Sequence, residues 1–199
     1  MTTESLLALL ALAAAASWSP GPNNLMLAAS AVNFGFRRTT PHMAGIAFGF
    51  PVMIFAVGLG LGQIFEASPA LREAMRWAGA ALLLWFAWRI ATAGRAEAAN
   101  NARPLTFLEA AGFQWINPKA WAMSLAATAQ FVTGEDALRE SALCAAVFLF
   151  CALGSCAAWS GFGLGLRRLL SDQIRLRIFN VSMGLLVASF VIYLFSDRF

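Results

Sequence analysis

Ser19-Pro20-Gly21-Pro22-Asn23-Asn24 and, further along, Asn117-Pro118-Lys119 interrupt two long apolar runs, Ser5–Phe36 and Ala110–Val132. Proline inside a helix removes a backbone hydrogen bond and clashes with the turn before it, whereas at the first helical position its missing N–H costs nothing. An asparagine just before that position accepts a hydrogen bond from an orphan backbone N–H and caps a new helix. Asn117-Pro118 has this pattern, and Ser19-Pro20 and Gly21-Pro22 offer the same geometry. Each break therefore starts a half-helix in the middle of an apolar segment. Its free N–H groups and the positive end of its dipole attract an anion. Irregular backbone at membrane depth survives only when buried in protein or lining water. The two breaks are expected to meet near the centre of a helical bundle.

Pro22 and Pro118 lie 96 residues apart, and the same offset pairs Gly58 with Gly154 and Leu27–Ala31 with Met123–Ala127. Apolar runs mark six spans, the third with Arg76 and Arg89 near its ends. They are the interrupted Ser5–Phe36, a clean Met43–Phe65, Leu71–Ala93, the interrupted Ala110–Val132, a clean Ser141–Leu166, and Ile178–Ser196. At this offset the second span falls on the fifth and the third on the sixth. An odd number of spans per half turns the second copy upside down, the arrangement of inverted-repeat transporters. The expected fold is an all-α membrane protein, one integral domain over residues 1–199. Its six transmembrane helices form two inverted three-helix repeats, 1–95 and 104–199, with the first and fourth helices broken.

Composition agrees. The 199 residues are 60% hydrophobic and 12% charged, against about 45–50% and about 25% in soluble domains. Mean hydropathy is +0.68. Intrinsic disorder is excluded, since it needs low hydrophobicity and high net charge. The first residues carry no positive charge, so the opening segment is expected to be a membrane helix and not a cleaved signal. The net charge of +4 comes from basic residues spread singly along short loops, which argues against nucleic acid. Arg37, Arg38, Arg89, Arg95, Arg103, Arg167, Arg168, Arg175 and Arg177 fall on one side, with only Glu97, Glu109 and Asp172. The other side holds Arg72, Arg76, Arg139 and Arg198 against seven acidic residues, Glu4, Glu66, Glu73, Glu135, Asp136, Glu140 and Asp197. The arginine-rich side is expected to be cytoplasmic, with both termini outside.

Cys144, Cys151 and Cys156 share one apolar run and are expected to pack, neither forming a disulfide framework nor binding metal. No nucleotide-binding glycine loop, His-Glu-x-x-His or Gly-x-Ser-x-Gly is present. No cofactor is expected and the chain is not read as an enzyme. Gly45-x-x-x-Gly49, Gly58-x-x-x-Gly62 and Gly161-x-x-x-Gly165 are expected at close helix contacts. Such faces permit a homodimer without requiring one.

Lys119 is the sharpest single residue. An ammonium at mid-membrane costs roughly 2.5–3.5 kcal/mol on insertion scales. It is expected to bind a substrate carboxylate or carry a proton; the alternative is a lysine bonded to carbonyls that Pro118 frees. His42 and Glu109, near the arginine-rich ends of their spans, are candidates for proton coupling, though solvated side chains there are commoner.

The segment Ser19–Met26, with Asn33-Phe34-Gly35-Phe36-Arg37-Arg38 and Gly45-Ile46-Ala47-Phe48-Gly49, resembles the opening of the LysE/RhtB family of amino-acid exporters. Gly112–Ala120, with Gln130-Phe131 downstream, looks like that family's second motif. The likeness runs over nearly the whole chain and is closest to the cysteine/O-acetylserine exporters. It departs at Ala129, where members often have proline, which bears on the local shape after the fourth span. The resemblance implies proton-driven export of a small neutral amino acid or derivative, of cysteine, O-acetylserine, homoserine or threonine type, from a bacterial cytoplasm across the inner membrane. By the same carry-over, Pro20, Gly21, Pro22, Asn23, Asn24, Asn117, Pro118 and Lys119 should line the substrate path. The partners implied are the small amino acid and the lipid bilayer. A non-transporting scaffold or sensor and a passive channel are the rival readings.

Overall fold

A computed structural model describes residues 1–93, 103–170 and 172–195. Arg95, Glu97, Asp197 and Arg198 of the charge count, and the ends of the two expected repeats, lie outside the described residues. Those residues form helices and no strands. In chain order the helices are α1 (Thr3–Trp18), α2 (Pro22–Phe34), α3 (Phe36–Ala56), α4 (Gly62–Ala67), α5 (Pro69–Thr92), α6 (Phe107–Gln114), α7 (Pro118–Phe131), α8 (Ala137–Leu169) and α9 (Gln173–Leu194). Continuous Phe36–Ala67, Ala137–Leu169 and Gln173–Ile192 are long and apolar enough to cross a membrane, and α1 with α2 makes a fourth such segment bent by 51°.

Both breaks fall where the prolines put them. Pro22 opens α2 after Gly21, and Pro118 opens α7 after Asn117, whose side chain accepts from the Lys119 N–H at 3.1 Å. Thr106 and Glu109 form a capping box that starts α6, satisfying two orphan donors reciprocally. α7 runs on through Ala129 to Phe131; a proline at 129 would cost that stretch a hydrogen bond, and alanine leaves the helix whole.

The second span departs from its expected form. The helix starts at Phe36, not Met43, and the run is not clean. It widens into a π-helical stretch over Val57–Leu61, where Gly60 has φ 116°. That conformation suits glycine because a Cβ would clash with the backbone. Gly58 in the same stretch lies against Ser141 of α8, where a Cβ would clash. Upstream, Pro41 leaves the Arg37 carbonyl without its helical donor, and Thr40 Oγ1 supplies one at 3.0 Å.

Packing is set by small residues. Lipid tails are as apolar as leucine, so tight van der Waals contact has to hold membrane helices together. Gly45 sits against Phe107 and Ala110, and Gly49 against Ala111, bringing α3 onto α6 as expected. The α8 expectation needs correcting. A Cβ at Gly161 or Gly165 would meet nothing within 4 Å, whereas Gly163 presses on the Ala28 backbone of α2. Two residues is about 200° around a helix, so these glycines point away from the contact. The core divides in two. One cluster gathers Leu27, Leu83, Phe113 and Val187. The other gathers Leu9, Met53, Trp121 and Phe148, with Phe65 stacked on Trp121 at 4.0 Å. Cys144, Cys151 and Cys156 are buried free thiols, as packing residues should be.

Candidate functional site

The end of α1 exposes carbonyls that no further turn can satisfy. Here side chains from three other helices take them. Asn24 Nδ2 donates to Ser17 O at 2.8 Å and Ser19 O at 2.9 Å. Ser155 Oγ of α8 donates to Ser17 O at 2.7 Å, and Trp159 Nε1 to Trp18 O at 3.3 Å. Lys119 completes the set: its ammonium donates to Ser19 O at 3.0 Å, Ser19 Oγ at 2.8 Å and Pro20 O at 3.3 Å. A cation at a helix C-terminus is favoured by the dipole. The alternative reading of Lys119 is thus met in altered form, because the carbonyls it holds belong to the first break and not to that of Pro118. At the second break Trp121 Nε1 plays a comparable part, donating to Trp115 O at 2.7 Å.

Asn23 and Gln114 tie the halves together a second time. Asn23 Nδ2 donates to Gln114 Oε1 at 2.8 Å, and Gln114 Nε2 to Ala110 O at 2.8 Å. The N-terminus of α2 has no side-chain cap, and its first residues border the same space.

That space is a cavity of about 50 Å³ between the breaks. Gly21, Pro22, Asn23, Asn24, Asn117 and Lys119 line it. Pro20 and Pro118 do not line it, although the Pro20 carbonyl accepts from Lys119. Ser17, Gln114, Ser155 and Cys156 are among the further lining residues that escaped the sequence reading. Gln114 is fully buried and polar in the last turn before the break, a signal the sequence carries. Ser155 belongs to a polar seam on α8 that looks like ordinary small-residue packing. The Ser17 hydroxyl is buried without a partner among the described residues.

His42 and Glu109 stand apart from this centre. Glu109, in the first turn of α6 just outside the apolar run, takes two hydrogen bonds of 2.6 Å from Arg103. These bonds hold its carboxyl well below the usual range, at about 2, with the Thr106 backbone and hydroxyl helping. The same pair raises the Arg103 guanidinium. The expectation that His42 is solvated is wrong: it is 2% exposed. It lies one turn before Gly45, on the face of α3 that packs against α6.

A family model of LysE type translocators matches residues 14–198. The chain belongs to the LysE type translocator family. It is 36% identical to the cysteine/O-acetylserine efflux protein of Escherichia coli strain K12 over 115 residues, 57% of this chain and 58% of that protein. The Shigella sonnei strain Ss046 protein of the same description matches equally, and that of Escherichia coli O1:K1 is 35% identical over the same length. The aligned stretch thus spans 58% of these relatives' length. No solved structure matches. The family match takes in both breaks and the cavity between them, so the central site of this LysE type translocator lies wholly inside the region that defines the family.

Proposed function

We propose that the chain is a secondary transporter that exports a small neutral amino acid or derivative from the bacterial cytoplasm by proton antiport. Cysteine and O-acetylserine are the first substrates to try, because the relatives' descriptions name them. The carrying observation is that Lys119, from the second break, is bound at the first break beside an uncapped helix N-terminus. A substrate carboxylate would sit at the N-termini of α2 and α7 and take over the Lys119 ammonium. Its amino group would replace Lys119 at the Ser19 and Pro20 carbonyls. Both exchanges keep every charge partnered, which a buried ion requires.

The cavity is far below the ~300–1,000 Å³ of a preformed ligand site, so loading calls for one repeat to rock against the other. Contacts between the halves support an inverted repeat of six spans: α1 packs on α8, and α6, its counterpart, packs on α3. His42 and Glu109 remain the candidates for the proton path, with Lys119. The arginine-rich side would face the cytoplasm and both termini the outside.

The test is flux in proteoliposomes with a panel of labelled amino acids under an imposed pH gradient. Uphill, gradient-dependent flux is the expected result. Flux that only runs downhill would make the protein a channel. No flux of any compound, from protein shown to be folded, would favour a scaffold or sensor.

A further inference from the structure

A second cavity, of about 290 Å³, opens at the arginine-rich end between α2, α3, α5 and the segment leading into α6. It is several times the size of the central one and falls near the range of small-molecule sites. Met26, Phe86, Ile90 and Leu105 give it an apolar floor. Most of its polar residues already have partners. Asn33 exchanges hydrogen bonds of 2.8 and 2.9 Å with Asn180 of α9, and Arg103 is held by Glu109.

Two residues are different. Arg89 spends one nitrogen on the Arg103 carbonyl at 2.9 Å and lies 4.8 Å over the Trp85 ring. A guanidinium has five N–H donors, so donor capacity is left over. Arg103 holds both oxygens of Glu109, so Glu109 acts on Arg89 only through space, and no carboxylate among the described residues hydrogen-bonds to Arg89. His42 is 2% exposed, lines the cavity, and has no hydrogen-bond partner on either ring nitrogen among the described residues. Buried polar groups in folded proteins are nearly always satisfied, by protein, water or ligand.

We propose that this cavity is a second binding site, for the zwitterionic head of a small α-amino acid, with Arg89 taking the carboxylate and His42 accepting from the ammonium. It rests on the transport reading only for the source of the amino acid, and it would serve as an antechamber to the central site.

His42 is the single histidine of the chain, which gives a direct readout. Protein carrying ¹³C,¹⁵N-histidine and an affinity tag free of histidine is purified in detergent, and its one imidazole signal is followed while O-acetyl-L-serine, L-serine or L-threonine is added. A saturable shift is expected with at least one of these acids and not with its carboxamide. Arg89→Gln should weaken it about tenfold, Arg89→Lys should keep part of it, and Lys119→Met, which alters only the central site, should leave it in place. No shift with any of the acids, or an equal shift with the carboxamide, would overturn the proposal. So would a shift produced by added phosphatidylglycerol alone, which would assign the site to a lipid headgroup. Uphill flux without a histidine shift would sink this site and spare the transport reading; the shift without flux would do the reverse.

Discussion

Asn24 and Ser155 converge on one carbonyl, that of Ser17, from different helices. Asn24→Ala removes this bond and the one to Ser19 O, leaves the Ser17 carbonyl one partner, and should cost about 1–3 kcal/mol, the net worth of two ordinary hydrogen bonds. Asn24→Ala with Ser155→Ala strips it bare, so the pair should cost more than the sum of the single changes. Thermal unfolding in detergent measures both, and simple additivity would show that the break is not held this way. Glu109 makes a prediction in pH. Its carboxyl is lowered from 4.5 to about 2 in the folded chain, so its stabilising effect is complete above about pH 4.5 and is lost as pH falls towards 2. Glu109→Gln should flatten the unfolding temperature across that window, and an unchanged slope would refute the pairing. At this scale the sequence was most legible where chemistry is expensive. Lys119, Asn117 and Asn24 stood out because a polar group at membrane depth needs a reason. Gln114 was legible only as a polar residue before the break, since its bond to Asn23 comes from the other half of the chain, and Ser155 was hidden because its partner, the Ser17 carbonyl, does too.

Helix elements were legible through their ends. Proline at a first helical position placed the starts of α2 and α7, after Gly21 in the one and after the capping Asn117 in the other, because these are local properties. The widened turn at Val57–Leu61 was not, because Gly58 answers to Ser141 on α8 and Gly60 to a backbone φ of 116° that no sequence pattern announces. The same applies to α8 itself, where Gly161-x-x-x-Gly165 is a conspicuous motif and Gly163 makes the contact. Gly163→Ala would drive a Cβ into the Ala28 backbone and should cost about 1–3 kcal/mol. Gly161→Ala meets nothing and should be neutral or gain up to about 1 kcal/mol, since alanine loses less entropy in a helix. Melting temperatures of the two variants separate these outcomes, and equal destabilisation would mean that the α2–α8 contact is misplaced.

Over the described residues, polar side chains gather at two ends of the bundle and at a centre between them. Asn33, His42, Arg89 and Arg103 surround one cavity. Glu66 and the turn at Thr133–Gly134 line a space at the opposite end of α3 and α4. Between them lies the centre, where two helix breaks from the two halves of the chain share one lysine. The offset of 96 residues led to that meeting point, yet it could not show that Lys119 would cross to the carbonyls of the other break. That pairing depends on how the halves dock, which no local pattern records.

The central claim is that the Lys119 charge is part of the transport step, and counterflow of the best panel substrate in proteoliposomes tests it most directly. Wild type, Lys119→Arg and Lys119→Met are compared after their melting curves show all three folded. The account predicts that Lys119→Met loses about 10- to 100-fold in rate, the worth of a hydrogen bond to a charged group, and that Lys119→Arg retains an intermediate rate. Counterflow in Lys119→Met equal to wild type would contradict it.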